Sequence, residues 1–125
     1  MKVVSVDLGA TIGKVSALEK RGGELSFKEL HRFRTKGTLL PADERAILVW
    51  DAPKFFEEVV GALEGLPGEV ASVGVDSWGV DFALLDSKGR LLSLPVHYRD
   101  PRTKGVMKRA LAQLGEKRVY RRTGI

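Results

Sequence analysis

The chain has no cysteine in its 125 residues. That excludes disulfides and thiolate metal sites, and it removes one class of nucleophile. Histidine is almost as scarce. His31 and His97 lie far apart, and neither has neighbours at ligand spacing, so a histidine-based metal centre is not expected. No apolar run approaches the roughly 18 residues of a membrane-spanning helix. The N-terminus lacks the long apolar core and small-residue cleavage site of a signal peptide. A soluble cytoplasmic protein is the expectation. Internal repeats, low-complexity tracts and flexible linkers are also absent.

What remains is ordinary globular material. Hydrophobic residues make up 43% of the chain, enough to bury a core, and the length suits one small domain or a piece of a larger one. Lysine and arginine exceed aspartate and glutamate, giving a net charge of +5. The densest basic run, Lys117-Arg118-Val119-Tyr120-Arg121-Arg122, reads as the solvated face of a short terminal helix. It has no recognised nucleic-acid motif or aromatic stacking series, so nucleic acid is not an expected partner.

The first fourteen residues carry the most information. Val3 to Val6 run into Asp7-Leu8-Gly9-Ala10-Thr11-Ile12-Gly13-Lys14. A carboxylate at a strand end meets a tight loop with two glycines, a hydroxyl and a lysine. Such a loop can aim backbone N–H groups at one anion, such as phosphate. Asp7 can hold a hydrated magnesium ion beside it. Those are parts of a phosphoryl-transfer site. The spacing is not that of a P-loop, because three residues separate Gly9 from Gly13 and Val15 follows the lysine. Nor does a helix follow, as the dinucleotide fingerprint requires. An ordinary glycine-containing hairpin is the plain alternative.

The pattern predicts strands over Lys2–Val6, Lys14–Lys20 and Leu25–Phe33, with a turn at Arg21-Gly22-Gly23-Glu24. A long connection follows from Arg34 to Leu48. Asp51 and Pro53 open a helix whose buried stripe is read as Phe56, Val59, Val60 and Leu63. Gly65-Leu66-Pro67-Gly68 stops it. Val70–Val75 reads as a central strand, Phe82–Leu85 as another, and Arg90–Tyr98 as its antiparallel return across the turn at Asp86–Gly89. A helix is expected over Thr103–Leu114, with Val106, Ala110, Leu111 and Leu114 on one side and Gly115 at its end. A right-handed crossover would set Val70–Val75 parallel to the first strand. Asp7 and Asp76 would then meet at one sheet edge, where ligands of open α/β sheets gather.

Asp76-Ser77-Trp78-Gly79-Val80-Asp81 is the second unusual segment. Trp78 can offer a flat apolar face to a sugar, Asp76 can accept from sugar hydroxyls, and Gly79 allows close approach. The plain reading makes Trp78 core and Asp76 a turn cap. In Tyr98-Arg99-Asp100-Pro101-Arg102-Thr103, Asp100 reads as a helix cap and the arginines as partners for carboxylates.

Together these segments resemble the FGGY carbohydrate kinases. The likeness covers Val6 to Ala10 with Gly13-Lys14, Val75 to Phe82, and Tyr98 to Thr103. Leu30-His31-Arg32-Phe33, Val49-Trp50-Asp51, Tyr120 and Thr123-Gly124-Ile125 agree. The middle segment is most similar to the branch that phosphorylates L-rhamnulose. The resemblance implies an α/β, ribonuclease H-like (actin-like ATPase) fold, with a mixed sheet and flanking helices. It implies that residues 1–125 are the N-terminal part of the first domain. It implies ATP and Mg²⁺ as cofactors and a ketose as substrate. Gly9, Ala10, Thr11, Ile12, Gly13 and Lys14 would face the ATP phosphates, Asp7 the magnesium through water, and Gly79, Asp76, Trp78 and Tyr98 the sugar. Lys14 stands where that branch usually has arginine, and Thr11-Ile12 replaces a pair of serines, which removes a bidentate fork and a hydroxyl.

Members of the family are several-fold longer. Their general-base aspartate would fall beyond Ile125, so no catalytic residue is expected within this chain. The expectation is therefore an isolated chain with little kinase activity, and self-association or a complementing remainder covering its open sheet edge. The competing readings are a non-catalytic remnant with weak phosphate or sugar affinity, a related kinase such as a xylulokinase, and, as a minor alternative, a basic nucleic-acid-binding domain, which would require salt-sensitive binding to DNA or RNA.

Overall fold

The computed structural model describes Met1 to Gly124; Ile125, the last residue quoted in the resemblance, lies outside the described residues. Strands β1 (Lys2–Leu8), β2 (Ile12–Arg21) and β3 (Glu24–Arg34) form an antiparallel meander, each extending a residue or two past its expected ends. Gly22 and Gly23 make the β2–β3 turn at φ +55° and +93°, conformations that L side chains rarely adopt. Alternation decides the faces. Val4 and Val6 of β1 and Val15 of β2 are buried, while Ser5 between the two valines is exposed.

The segment Arg34–Leu48 is not bare loop. It holds a small antiparallel pair, β4 (Thr38–Leu40) and β5 (Ile47–Val49). Helix α1 (Ala52–Glu64) then starts as expected, with the Asp51 carboxylate accepting from the Lys54 N–H at 3.2 Å and Pro53 in the first turn. Its stripe is corrected by one position. Phe55 is buried, with its ring 6.1 Å from those of both Phe33 and Trp50, whereas Phe56 is 70% exposed. Neighbouring helix positions differ by about 100° around the axis, so only one of the two phenylalanines can face the sheet. His31 on β3 bonds Glu58 on α1 at 2.6 Å and ties helix to sheet.

Beyond α1 the chain returns as β6 (Ser72–Ser77), parallel to β1 as the crossover argument requires. The sheet order is β3-β2-β1-β6, so the sheet is mixed. β6 occupies its edge, not its centre, and Val75 is 66% exposed. The expected strands Phe82–Leu85 and Arg90–Tyr98 are absent as strands. Among the described residues two isolated bridges form there, Leu85 with Leu91 and Val49 with Val96. The turn between them does form, because the Asp86 carboxylate accepts the N–H groups of Lys88 and Arg90, each at 2.9 Å.

The expected helix over Thr103–Leu114 splits. A 3-10 turn (Pro101–Thr103) is followed by α2 (Val106–Leu114), because Gly105 at φ +77° breaks the path. Helix α3 (Glu116–Thr123) carries the basic run, and α2 and α3 pack on each other. The core is one cluster of Val4, Val6, Val15, Phe33, Trp50 and Phe55. Among the described residues no helix is long and apolar enough to cross a membrane.

Candidate functional site

The β1–β2 connection is built tightly. Leu8 pairs with Gly13, and Asp7 pairs with Lys14. The Gly9 N–H donates to the Ile12 carbonyl at 3.1 Å, and a Cβ on Gly9 would stand 2.7 Å from that same oxygen. Glycine is therefore required there by the turn itself. Gly13 has a different reason: a Cβ on it would run into the Phe33 ring. Ala10, Thr11 and Ile12 are exposed at the tip. Lys14 Nζ lies 3.8 Å from Asp7 Oδ2, with both side chains substantially exposed.

Register brings the two expected carboxylates together. Asp7 and Asp76 are direct partners across the parallel β1–β6 pair. Adjacent strands lie about 4.8 Å apart, and partnered residues share a sheet face. Arg32, Lys14, Asp7 and Asp76 thus form one row across four strands. Arg32 is already held by Glu29, with bonds of 2.8 and 2.7 Å. That leaves two neighbouring carboxylates and one nearby lysine at the carboxyl end of β1. The negative excess suits a cation. Among the described residues no cluster of three or more His, Asp or Glu side chains forms a metal cage. Magnesium does not need one, since it commonly keeps several waters and takes one or two carboxylates together with substrate phosphates.

The other half of the site is aromatic. Trp50, buried at the start of α1, stacks on His97 with centroids 3.8 Å apart and meets Trp78 at 4.2 Å. Tyr98 lies 4.6 Å from His97, with the Arg99 guanidinium over its ring. Trp78 and Tyr98 are half-buried, so each packs on the core and still presents surface. Burial pushes the His97 pKa below its ordinary 6.5, with Asp81 opposing and Arg99 reinforcing the shift. Next to this cluster lies a cavity of about 190 Å³, walled by Leu8, Trp50, Ser77, Trp78, Asp81 and Pro95 among others. Gly79 is open, with nothing within 4 Å of where a Cβ would sit. Among the described residues no hydrogen bond joins Asp76 to Trp78 or Tyr98.

Two residues that order this region, Asp81 and Thr35, were given no role by the sequence, and a third, Asp100, does more than expected. Asp81 Oδ2 accepts from Trp50 Nε1–H at 2.6 Å and from the Tyr98 N–H at 3.0 Å, tying three segments together. Its only signal was an acid inside an otherwise apolar stretch. Asp100 was expected as a cap, and it does accept from the Arg102 N–H. It also takes a two-pronged bond from Arg45, at 3.0 and 2.8 Å, and one from the Leu48 N–H. Arg45 foremost, then the Leu48 N–H, hold its carboxyl well below the usual range. Thr35, buried beside the turn, had no sequence signal at all. A larger groove, of about 790 Å³, lies at the opposite end of the sheet around Lys2, Glu19 and Pro67, away from Asp7.

No family model matches the chain. It is homologous to rhamnulokinases. That of Yersinia pestis bv. Antiqua (strain Angola) is 40% identical over 98% of the chain and 26% of the relative. That of Klebsiella pneumoniae is 39% identical over 98% of the chain and 25% of the relative. The chain therefore spans about a quarter of the length of the curated relatives it matches. Among solved structures, a ligand-bound xylulose kinase from Lactobacillus acidophilus superposes with TM-score 0.67 at 18% identity, covering 96% of this chain and 24% of that one. A carbohydrate kinase from Novosphingobium aromaticivorans superposes with TM-score 0.59 at 25% identity, covering 89% and 22%. The fold is that of the first portion of the FGGY sugar kinases, an actin-like ATPase fold with a mixed sheet.

Proposed function

We propose that this chain supplies the phosphate turn and part of the sugar wall of an ATP-dependent carbohydrate kinase of rhamnulokinase type. It corresponds to the N-terminal part of the first domain, and the reaction of the whole moves the γ-phosphate of ATP to a ketose hydroxyl, with L-rhamnulose as the ketose. The observation that carries this reading is the row of Lys14, Asp7 and Asp76 beside an exposed glycine turn.

In this reading the Gly9–Lys14 turn receives the ATP phosphates and Lys14 contributes a point charge. Asp7, through water, and the neighbouring Asp76 charge favour Mg²⁺, which neutralises phosphate charge when bound. Trp78 and Tyr98 offer aromatic surface to the sugar, Asp76 accepts from its hydroxyls, and Gly79 leaves room for it. Phosphoryl transfer depends on positioning and charge neutralisation from both walls of a cleft. One wall alone gives little turnover.

Replacing the matching segment of the Yersinia rhamnulokinase with residues 1–125 tests this. The chimera should phosphorylate L-rhamnulose with ATP, and Asp7→Asn within it should lose at least about a hundredfold in kcat, roughly 2.7 kcal/mol of transition-state stabilisation. The isolated chain should make no detectable sugar phosphate. A folded chimera without activity, or one indifferent to Asp7→Asn, refutes the assignment.

A further inference from the structure

Thr35 follows β3 and is completely buried, yet it lies outside the apolar core cluster. Its N–H donates to the Thr11 carbonyl at 3.1 Å, and its Oγ1 donates to the Gly9 carbonyl. Those two carbonyls bracket the Gly9-Ala10-Thr11 bend. One residue from a separate strand end therefore holds both sides of the turn. Two positions on, Gly37 is pinned as well. A Cβ there would stand 2.7 Å from His97 Cδ2 and 3.0 Å from Leu48 Cδ1. The Thr35–Gly37 strap thus runs from the turn to the aromatic cluster. Valine has nearly the shape of threonine, so packing alone does not call for the hydroxyl, but the Gly9 carbonyl does.

We propose that Thr35 is a positioning residue for the phosphate turn. Its hydroxyl and amide fix the bend in advance, so that an anion meets an ordered loop and does not have to order one. This inference rests on the phosphate reading of the turn.

The test uses the full 125-residue chain with Thr35→Val and Thr35→Ser. Amide exchange is followed by NMR over Gly9 to Gly13, and inorganic tripolyphosphate is titrated as the probe. Thr35→Val should speed exchange in the turn about tenfold and weaken tripolyphosphate binding about tenfold, as the loss of one hydrogen bond implies. Thr35→Ser should restore both. Unchanged exchange in the valine variant overturns the proposal. Faster exchange with tripolyphosphate bound by no form, wild type included, overturns the phosphate role and leaves only a structural clasp. If Thr35→Val does not fold, the unmodified chain decides: Thr35 amide exchange as slow as that of β1 supports the clasp, and exchange as fast as at Ala10 refutes it.

Discussion

Trp50→Phe is the sharpest probe of the aromatic half of the site. The indole is 2% exposed, stacks on His97, meets Trp78 in a tilted contact, and donates to Asp81 at 2.6 Å. Phenylalanine keeps one ring and loses the donor. A hydrogen bond to a charged acceptor is worth about 1.5–3 kcal/mol, and the partial void adds about 1 kcal/mol, so a loss of roughly 2.5–4 kcal/mol is expected. At about 4 °C per kcal/mol for a chain of this size, the melting temperature should fall by roughly 10–16 °C. Urea unfolding followed by circular dichroism gives the free energy directly. Asp81→Ala and the double variant complete a cycle whose coupling should be about 1 kcal/mol or more. A cost under about 0.5 kcal/mol with additive single effects would mean the bond does not organise this region.

Gly13→Ala should lose about 1–3 kcal/mol, because the added methyl meets the Phe33 ring, and Phe33→Leu should recover part of it; urea midpoints read both. His97 supplies a pH dependence. Its folded pKa lies below the ordinary 6.5, so between the two values the unfolded chain binds the extra proton. Stability from this group is complete above pH 6.5 and is lost as pH falls through the folded value. Its Nδ1 also accepts the Arg99 N–H at 3.0 Å, which protonation forbids. His97→Gln should flatten that slope in urea midpoints taken between pH 7.5 and 5.5, and an unchanged slope counts against it. Gly79→Leu should leave the fold intact, since its Cβ would meet nothing within 4 Å. In the chimera it should raise the sugar KM at least about tenfold and spare that for ATP; equal losses for both ligands would mean the two loops are misassigned.

Much of the sheet was legible, because alternation and paired glycines are local signals. The Asp7–Asp76 register was legible as well, since a crossover leaves few topologies. The failures share a cause. Phe82–Leu85 has strand composition but no continuous partner, and a strand exists only with its ladder. Thr38–Leu40 and Ile47–Val49 are too short to show a period. Phe55 and Phe56 are equivalent as letters, and only Trp50 and Phe33 decide which turns inward. Thr35 and Asp81 act through partners distant in sequence, so nothing near them announces the role.

The acidic pair belongs to opposite ends of a long excursion, since β1 and β6 are neighbours only after α1 has carried the chain across. The β1–β3 meander can close early through short-range contacts, but the juxtaposition of Asp7 with Asp76 demands distant closure, which is slow. During synthesis the two carboxylates cannot become neighbours until Ser77 has left the ribosome and docked. The pairing of Asp7 with Asp76 is therefore a marker for the closure of β6 on β1.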